Sequence, residues 1–156
     1  LLDVTAILSG KLQIHRQPTP VAAVVTAAVD VIRPLAEAKT IDLRVEGLDH
    51  VARVDGDPQR LQQVVWNLLS NAVKFTDPQG SIVVTVSASD IAVRIAVRDT
   101  GMGIDAELLP RVFDRFTQGD SSMTRSAMGL GLGLTLVRQL VELHDGSVHG
   151  HSDGRG

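Results

Sequence analysis

Apolar positions recur along this chain with two different periods, and the switches between them mark its elements. Leu1, Leu2, Val4, Ile7, Leu8 and Leu12 stand at near-helical spacing that Ser9-Gly10 interrupts, which reads as the tail of a longer helix. Thr19-Pro20 offers an N-cap followed by proline at the first helical position. The apolar residues from Val21 to Ala38 then sustain a helix that Pro34 is expected to kink. IDLRVEG and the shorter VARVDG alternate with period two and are expected to form a pair of strands, closed by Gly47 and Gly56. Asp57-Pro58 repeats the cap-then-proline signal and opens the strongest helix, whose stripe is Leu61, Val64, Val65, Leu68, Leu69 and Ala72 and whose end falls near Asp77-Pro78. SIVVTVSA and IAVRIAVRD follow as strands, with Ser89-Asp90 as the hairpin turn.

From Gly101 to Met128 the periodicity gives way to a long polar stretch with a short helix expected around Leu108 to Phe116; loops of that length are usually functional or disordered. MGLGLGLT, Met128 to Thr135, ends it. Leucine at every second place suggests a strand, but the glycines remove the side chains that hold a strand together, so a strand is not expected. Leu136, Val137, Leu140, Val141 and His144 then have helical spacing until Asp145-Gly146. These elements predict an α/β fold with antiparallel strands and helices on one face.

Composition narrows the function classes. The 156 residues suffice for one domain with a single core, 44% are apolar, and no apolar run is long enough to cross a membrane, so a soluble piece is expected. A net charge of −3 gives no general drive toward nucleic acid or anionic lipid, and any phosphate must be held by a local site. The absence of cysteine excludes disulfides and thiolate metal sites and suits a reducing compartment. Phe75, Phe113, Phe116 and Trp66 are too few for a base-stacking platform. The chain begins mid-pattern and stops in HGHSDGRG, like a turn before a further strand, which reads as a piece of a larger protein.

Polar residues break the pattern in three places. On the Asp57–Phe75 helix, Asn67, Asn71 and Lys74 fall together beside the apolar stripe, a polar seam at the edge of a core. Asparagine is not placed in a helix interior for propensity. An amide oxygen can ligate magnesium and a lysine one turn away can neutralise phosphate, whereas a solvated helix edge has the same spacing. In the strand Val93, Ile95 and Val97 alternate, and period two carries Asp99 onto the same buried face, where a carboxylate needs donors. The amino group of an adenine is one such donor, and Gly101 and Gly103 in DTGMGI would let backbone approach a flat ligand; an ordinary turn reads the residues equally well. Third, glycines leading into a helix leave N–H groups aimed at an anion such as a triphosphate, and could hinge the loop from Gly101 to Met128 with Phe113 and Phe116 as anchors. A flexible surface loop is the alternative. Their spacing matches neither a dinucleotide fingerprint nor a P-loop.

Jointly, RLQQVVWNLLSNAVKFT, DTGMGI, VFDRFTQ and GLGLGLTLVRQLVELHDG resemble the asparagine box, first glycine box, phenylalanine box and second glycine box of bacterial sensor histidine kinases. The resemblance implies the catalytic ATP-binding domain of such a kinase, in the superfamily shared with gyrase, Hsp90 and MutL. Its fold is the Bergerat ATP-binding fold, a two-layer α/β sandwich of a mixed, mainly antiparallel sheet with helices on one face. Residues 1–18 would be the end of a dimerisation helix and its linker, and 19–156 the ATP-binding domain. At matching positions it implies Asn71 as the magnesium ligand, Asn67 and Lys74 as the catalytic residues near the phosphates, and Asp99 on the adenine amino group. Gly101 and Gly103 would border the base, Gly129, Gly131 and Gly133 would serve the lid hinge and phosphates, and Thr100, Phe116, Arg125 and Leu130 would complete the nucleotide contacts.

The implied cofactors are ATP and Mg²⁺. The implied reaction is transfer of the γ-phosphoryl group to a histidine on a separate dimerisation and phosphoacceptor domain of the same protein, with a response regulator receiver domain as indirect partner. No nucleic acid and no direct membrane contact are expected, and the location is cytoplasmic even if the parent is membrane-anchored. Hydrolytic relatives carry a general-base glutamate where this chain has Asn67, which predicts slow hydrolysis. None of His15, His50, His144, His149 and His151 has the sequence context of the acceptor, and His144 continues an apolar helix face as a packed residue. Met128 replaces a common glycine and Gln118 a phosphate-contacting arginine, which leaves Arg115 or Arg125 for a positive lid residue. The family's last strand has no counterpart before Gly156, which predicts an unpaired sheet edge. The alternatives are a nucleotide-binding regulatory module without transfer and an ATPase of the gyrase or Hsp90 kind.

Overall fold

The computed structural model describes residues 13–49, 53–103 and 132–152. Eight elements follow in order: β1 (Gln17–Pro20), α1 (Val21–Ala38), β2 (Asp42–Glu46), β3 (Arg53–Gly56), α2 (Pro58–Phe75), β4 (Ser81–Ala88), β5 (Val93–Asp99) and α3 (Leu132–Leu143). Among these, no helix is long and apolar enough to cross a membrane. The expected segments at 1–12 and 108–116 lie outside the described residues.

The sheet is mixed. β4 is its centre, parallel to β2 from Asp42↔Ser81 to Glu46↔Thr85 and antiparallel to β5 from Ile82↔Asp99 to Ala88↔Val93. Its residues Ile82, Val84 and Val86 are buried on the helix side. Val21, Val24, Val25, Ala28, Val29, Ile32 and Ala36 on α1 cover that side, at the spacing that keeps one helical face inward. Val65, Leu69, Ala72 and Val73 of α2 complete this core. A second cluster joins Val64 of α2 to Leu136, Val137 and Leu140 of α3, with Leu68 packed against it. Thus α2 is buried on two adjacent faces.

Three local expectations are corrected. IDLRVEG and VARVDG do not pair with each other: β2 joins β4, whereas β3 runs antiparallel to β1, from Gln17↔Gly56 to Pro20↔Arg53. With prolines at 18 and 20 the β1 sequence resembles a loop, yet a two-stranded ribbon has free edges where the missing N–H groups are tolerated. Thr19 is therefore not the N-cap. That place is taken by Pro20, and the buried Thr19 hydroxyl lies 2.8 Å from Gly56 O and 2.9 Å from Gln17 O, tying the ribbon together. The β4–β5 connection spans four residues rather than two, closed by Ser89 N–H donating to Ala92 O at 2.8 Å. Helix α1 contains Pro34 and continues past it to Ala38.

Asp57 does cap α2, and its side chain accepts from the Gln59 and Arg60 backbone N–H groups at 3.1 and 3.3 Å. The carboxylate also accepts from His15 N–H at 3.0 Å. At the other end Lys39 Nζ donates to Val73 O at 2.8 Å, so a neighbouring element satisfies a carbonyl of the last turn. Burial opposes charge on Asp57, but the N–H groups of His15, Arg60 and Gln59 and the Arg60 guanidinium outweigh it and hold the pKa below its usual 3.8. The ionised cap thus adds stability that is present above pH 3.8 and is lost as the pH falls through the lower native value. Asp57→Ala is expected to lower the unfolding free energy by about 1–2 kcal/mol at neutral pH. Urea denaturation of both proteins across acid pH should show that difference shrinking below pH 3.8.

Candidate functional site

Helix α2, strand β5, helix α3 and residues 144–152 border a broad, open cavity of about 2050 Å³ that also reaches Arg16, Val21 and residues 53–55 and is larger than one small ligand fills. Leu68, Asn71, Ala72 and Phe75 form the α2 wall, Leu134, Val137 and Val141 the α3 wall, and β5 with Thr100 to Gly103 the opposite side. Asn71 reaches this space because the two apolar faces of α2 are already engaged. What remains is a strip in which Asn67, Asn71 and Lys74 follow one another at helical spacing.

The register puts Asp99 directly opposite Ile82, whose side chain is fully buried. Directly opposed residues of an antiparallel pair share a face, so the expected orientation holds. The expected burial does not. Asp99 is exposed, because the layer covering β5 stops short of the strand's end and the cavity opens there. Its Oδ1 accepts from Gly101 N–H at 2.8 Å, folding the chain back in a tight turn. Thr100 prolongs the ladder, since its N–H donates to Ser81 O at 3.1 Å and its Oγ1 accepts from Ser81 N–H at 3.0 Å.

A Cβ at Gly101 would lie 2.3 Å from Phe75 O and 2.9 Å from Asp99 Oδ1, so the missing side chain lets this turn close on the end of α2. Met102 N–H then donates to Phe75 O at 3.1 Å. Phe75 is thus a site residue that sequence reasoning passed over; its aromatic side chain drew attention, but its carbonyl carries the role. Gly103, with φ of 75°, takes a left-handed conformation that favours glycine.

Of the expected site residues, Asn71, Asp99, Thr100, Gly101 and Gly103 line the cavity together, whereas Asn67 and Lys74 do not. Lys74 is exposed in the last turn of α2. Asn67 is half-buried, and its Nδ2 is buried without a hydrogen-bond partner among the described residues. A buried donor left unmatched costs about 1–3 kcal/mol, so this amide is a candidate to meet an acceptor. Gly133 sits in the first turn of α3, so the glycine-leucine run is helical from Leu132 onward. Phe116, Arg125, Gly129, Leu130 and Gly131 lie outside the described residues. His144, expected as a packed residue, also bonds through both ring nitrogens, to Asp57 N–H and Leu140 O.

A mixed sheet backed by helices, with a carboxylate at one strand end facing an asparagine-bearing helix, is an arrangement of the ATP-binding α/β class. Residues 56–156 match the histidine kinase-, DNA gyrase B- and HSP90-like ATPase family. The chain is 38% identical over 151 residues to the circadian input-output histidine kinase CikA of Synechococcus elongatus, covering 95% of this chain and 20% of that protein. The solved mycobacterial sensor histidine kinase MprB superposes with a TM-score of 0.70 at 27% identity, over 84% of this chain and 81% of that one. Full-length ShkA, solved in complex with AMPPNP, gives 0.76 at 27% identity, over 96% of this chain and 32% of that one. The chain belongs to this ATPase family and has the Bergerat fold, which it shares with solved histidine kinases. It spans 12–22% of the length of the first curated relatives it matches.

Gly101→Ala is expected to destabilise the domain by about 1–3 kcal/mol, since the crowded atom is a backbone carbonyl that cannot swing aside. Thermal or urea unfolding of the variant measures it.

Proposed function

We propose that the domain holds Mg-ATP in the cavity between α2, β5 and α3 and delivers the γ-phosphoryl group to a histidine of a separate dimerisation and phosphoacceptor domain. The observation that carries this reading is that Asp99 and Asn71 line one cavity, with the Asn67 amide, unpartnered among the described residues, one turn away. Asp99 would accept from the adenine amino group, and Gly101 and Gly103 would pass along the base. Asn71 would give its amide oxygen to the metal, while the Asn67 Nδ2 and Lys74 would meet phosphate oxygens. Magnesium, when bound, would neutralise the charge that gathers on the phosphates. The donor set fits it, since a neutral amide oxygen suits a hard cation that keeps water and phosphate ligands.

Transfer then needs little covalent help from the protein. The acceptor imidazole nitrogen attacks the γ-phosphorus in line, the N–P bond forms as the bond to the ADP oxygen breaks, and fixed donors stabilise the displaced charge. An attacking water would require a base, and the amide of Asn67 has no useful basicity. The phosphohistidine would in turn supply a response regulator receiver domain. A nucleotide-binding module without transfer uses the same binding residues, and the transfer assay separates the two readings.

Calorimetry with a nonhydrolysable ATP analogue is expected to show Asp99→Asn binding on the order of tenfold to a hundredfold more weakly, the worth of a hydrogen bond to a charged group. Asn71→Ala should abolish the tightening that magnesium gives. If the Asp99 variant binds as wild type does, the base lies elsewhere. Mixed with ATP, magnesium and a dimerisation domain bearing the acceptor histidine, the chain is expected to form phosphohistidine; binding without transfer indicates the module. Alone it should turn over ATP only slowly, and turnover typical of an efficient ATPase would overturn the role given to Asn67.

A further inference from the structure

Three chain segments far apart in sequence meet at the end of α3 opposite its glycine-rich start. His144, just past α3, has Nδ1 2.6 Å from Leu140 O, while its Nε2 accepts from Asp57 N–H at 3.0 Å. A carbonyl on one side and an N–H on the other leave a single arrangement: a neutral ring with its proton on Nδ1. The ring lies flush against Gly56, where a Cβ would come 2.8 Å from Cδ2. Asp57 is also the cap of α2 and accepts from His15 N–H, so the imidazole is bonded to the residue that starts the asparagine helix and receives the incoming chain. Arg16 closes the joint, with its guanidinium 3.1 Å from Asp145 Oδ2, 3.9 Å from Asp55 Oδ2, and donating to Leu143 O.

The joint has a mechanical consequence. Helix α3 is a single rod, and Leu134, Val137 and Val141 along it form the wall facing β5. Its packing on α2 is apolar, through Leu136, Val137 and Leu140 on Val64, and such contacts are non-directional. They press one face of α3 on α2, which is itself clasped on two faces, and the position of α3 along that contact depends on what holds its end. The two hydrogen bonds of His144 are directional, and the Asp57 bond is made to backbone rather than to a movable side chain.

We propose that His144 is a positioning residue of the nucleotide site, fixing α3 against the N-terminus of α2 and thereby setting the wall that faces Asn71 and Asp99. Arg16 ties the chain entering at His15 to the same joint, so that displacing this segment loosens the wall. The nucleotide part of this inference rests on the function proposed above.

The test compares His144→Phe, which keeps an aromatic ring but neither nitrogen, with His144→Gln, whose amide oxygen can still accept from Asp57 N–H. Two readouts are taken on each: calorimetric affinity for a nonhydrolysable ATP analogue, and amide hydrogen exchange of the unliganded protein over residues 132–137. Expected is at least fivefold weaker binding and faster exchange at the start of α3 for His144→Phe, with His144→Gln returning both toward wild type. Arg16→Ala should shift both in the same direction by a smaller factor, and it serves in place of His144→Phe should that variant fail to fold. Wild-type affinity and exchange in His144→Phe, or equal loss in the Phe and Gln variants, overturns the proposal. If the wild type binds no nucleotide, the proposed function fails and the exchange measurement alone decides the joint: unchanged exchange at the start of α3 sinks it.

Discussion

Helix α2 is packed on two adjacent faces, and the rest of the molecule is arranged around that constraint. Val65, Leu69, Ala72 and Val73 commit one face to the sheet and α1, while Val64 and Leu68 commit the next to α3. A helix so clasped cannot rotate without withdrawing apolar surface from both clusters, and each fully buried Val or Leu contributes about 1.5–3 kcal/mol. The strip bearing Asn67, Asn71 and Lys74 is therefore held at a set angle to the cavity. Its two ends are secured as well, by the Asp57 carboxylate at the first turn and by Lys39 at the last. A polar strip of this kind gains its precision from apolar contacts that never touch a ligand.

The opposite wall is organised by backbone. Asp99 folds back on Gly101 N–H, Met102 N–H reaches Phe75 O, and Thr100 is bonded to Ser81 in both directions. The turn after β5 is thus moored to the end of α2 and the start of β4 together, which holds the Asp99 carboxylate at a constant distance from the helix carrying Asn71. Among the described residues β5 pairs with β4 alone, so the strand's other edge owes its placement to this mooring and to Val93, Ile95 and Val97 packing inward. Carboxylate and amide are then presented to the same space by two rigid elements, the arrangement that preorganised recognition of a nucleotide requires.

Much of this was legible beforehand. Periodicity gave α1, α2, β4 and β5 close to their observed limits, because each buries one regular face and that demand is written as spacing. The Asp57-Pro58 cap, the alignment of Asn67 with Asn71, and the face of Asp99 followed from local geometry, and four ordered motifs were enough to point to the kinase family. What escaped was long-range. Nothing in IDLRVEG or VARVDG says that β2 lies parallel to β4 while β3 turns away to β1. The prolines of β1 hid a strand because an edge tolerates them.

The amino-acid sequence by itself determined the elements, the polar residues that stand out from them and the chemistry those residues can perform, since turn residues, caps and periodicity act over a few positions. Only the tertiary structure decided which strands are neighbours, that Asp99 opens onto a cavity instead of being enclosed, that Gly101 serves the Phe75 carbonyl, and that His144 bonds to Asp57. Each of these depends on two segments distant along the chain meeting at bonding distance, and that meeting is set by how the two apolar clusters close on α2, a property of the packed whole that no local pattern encodes.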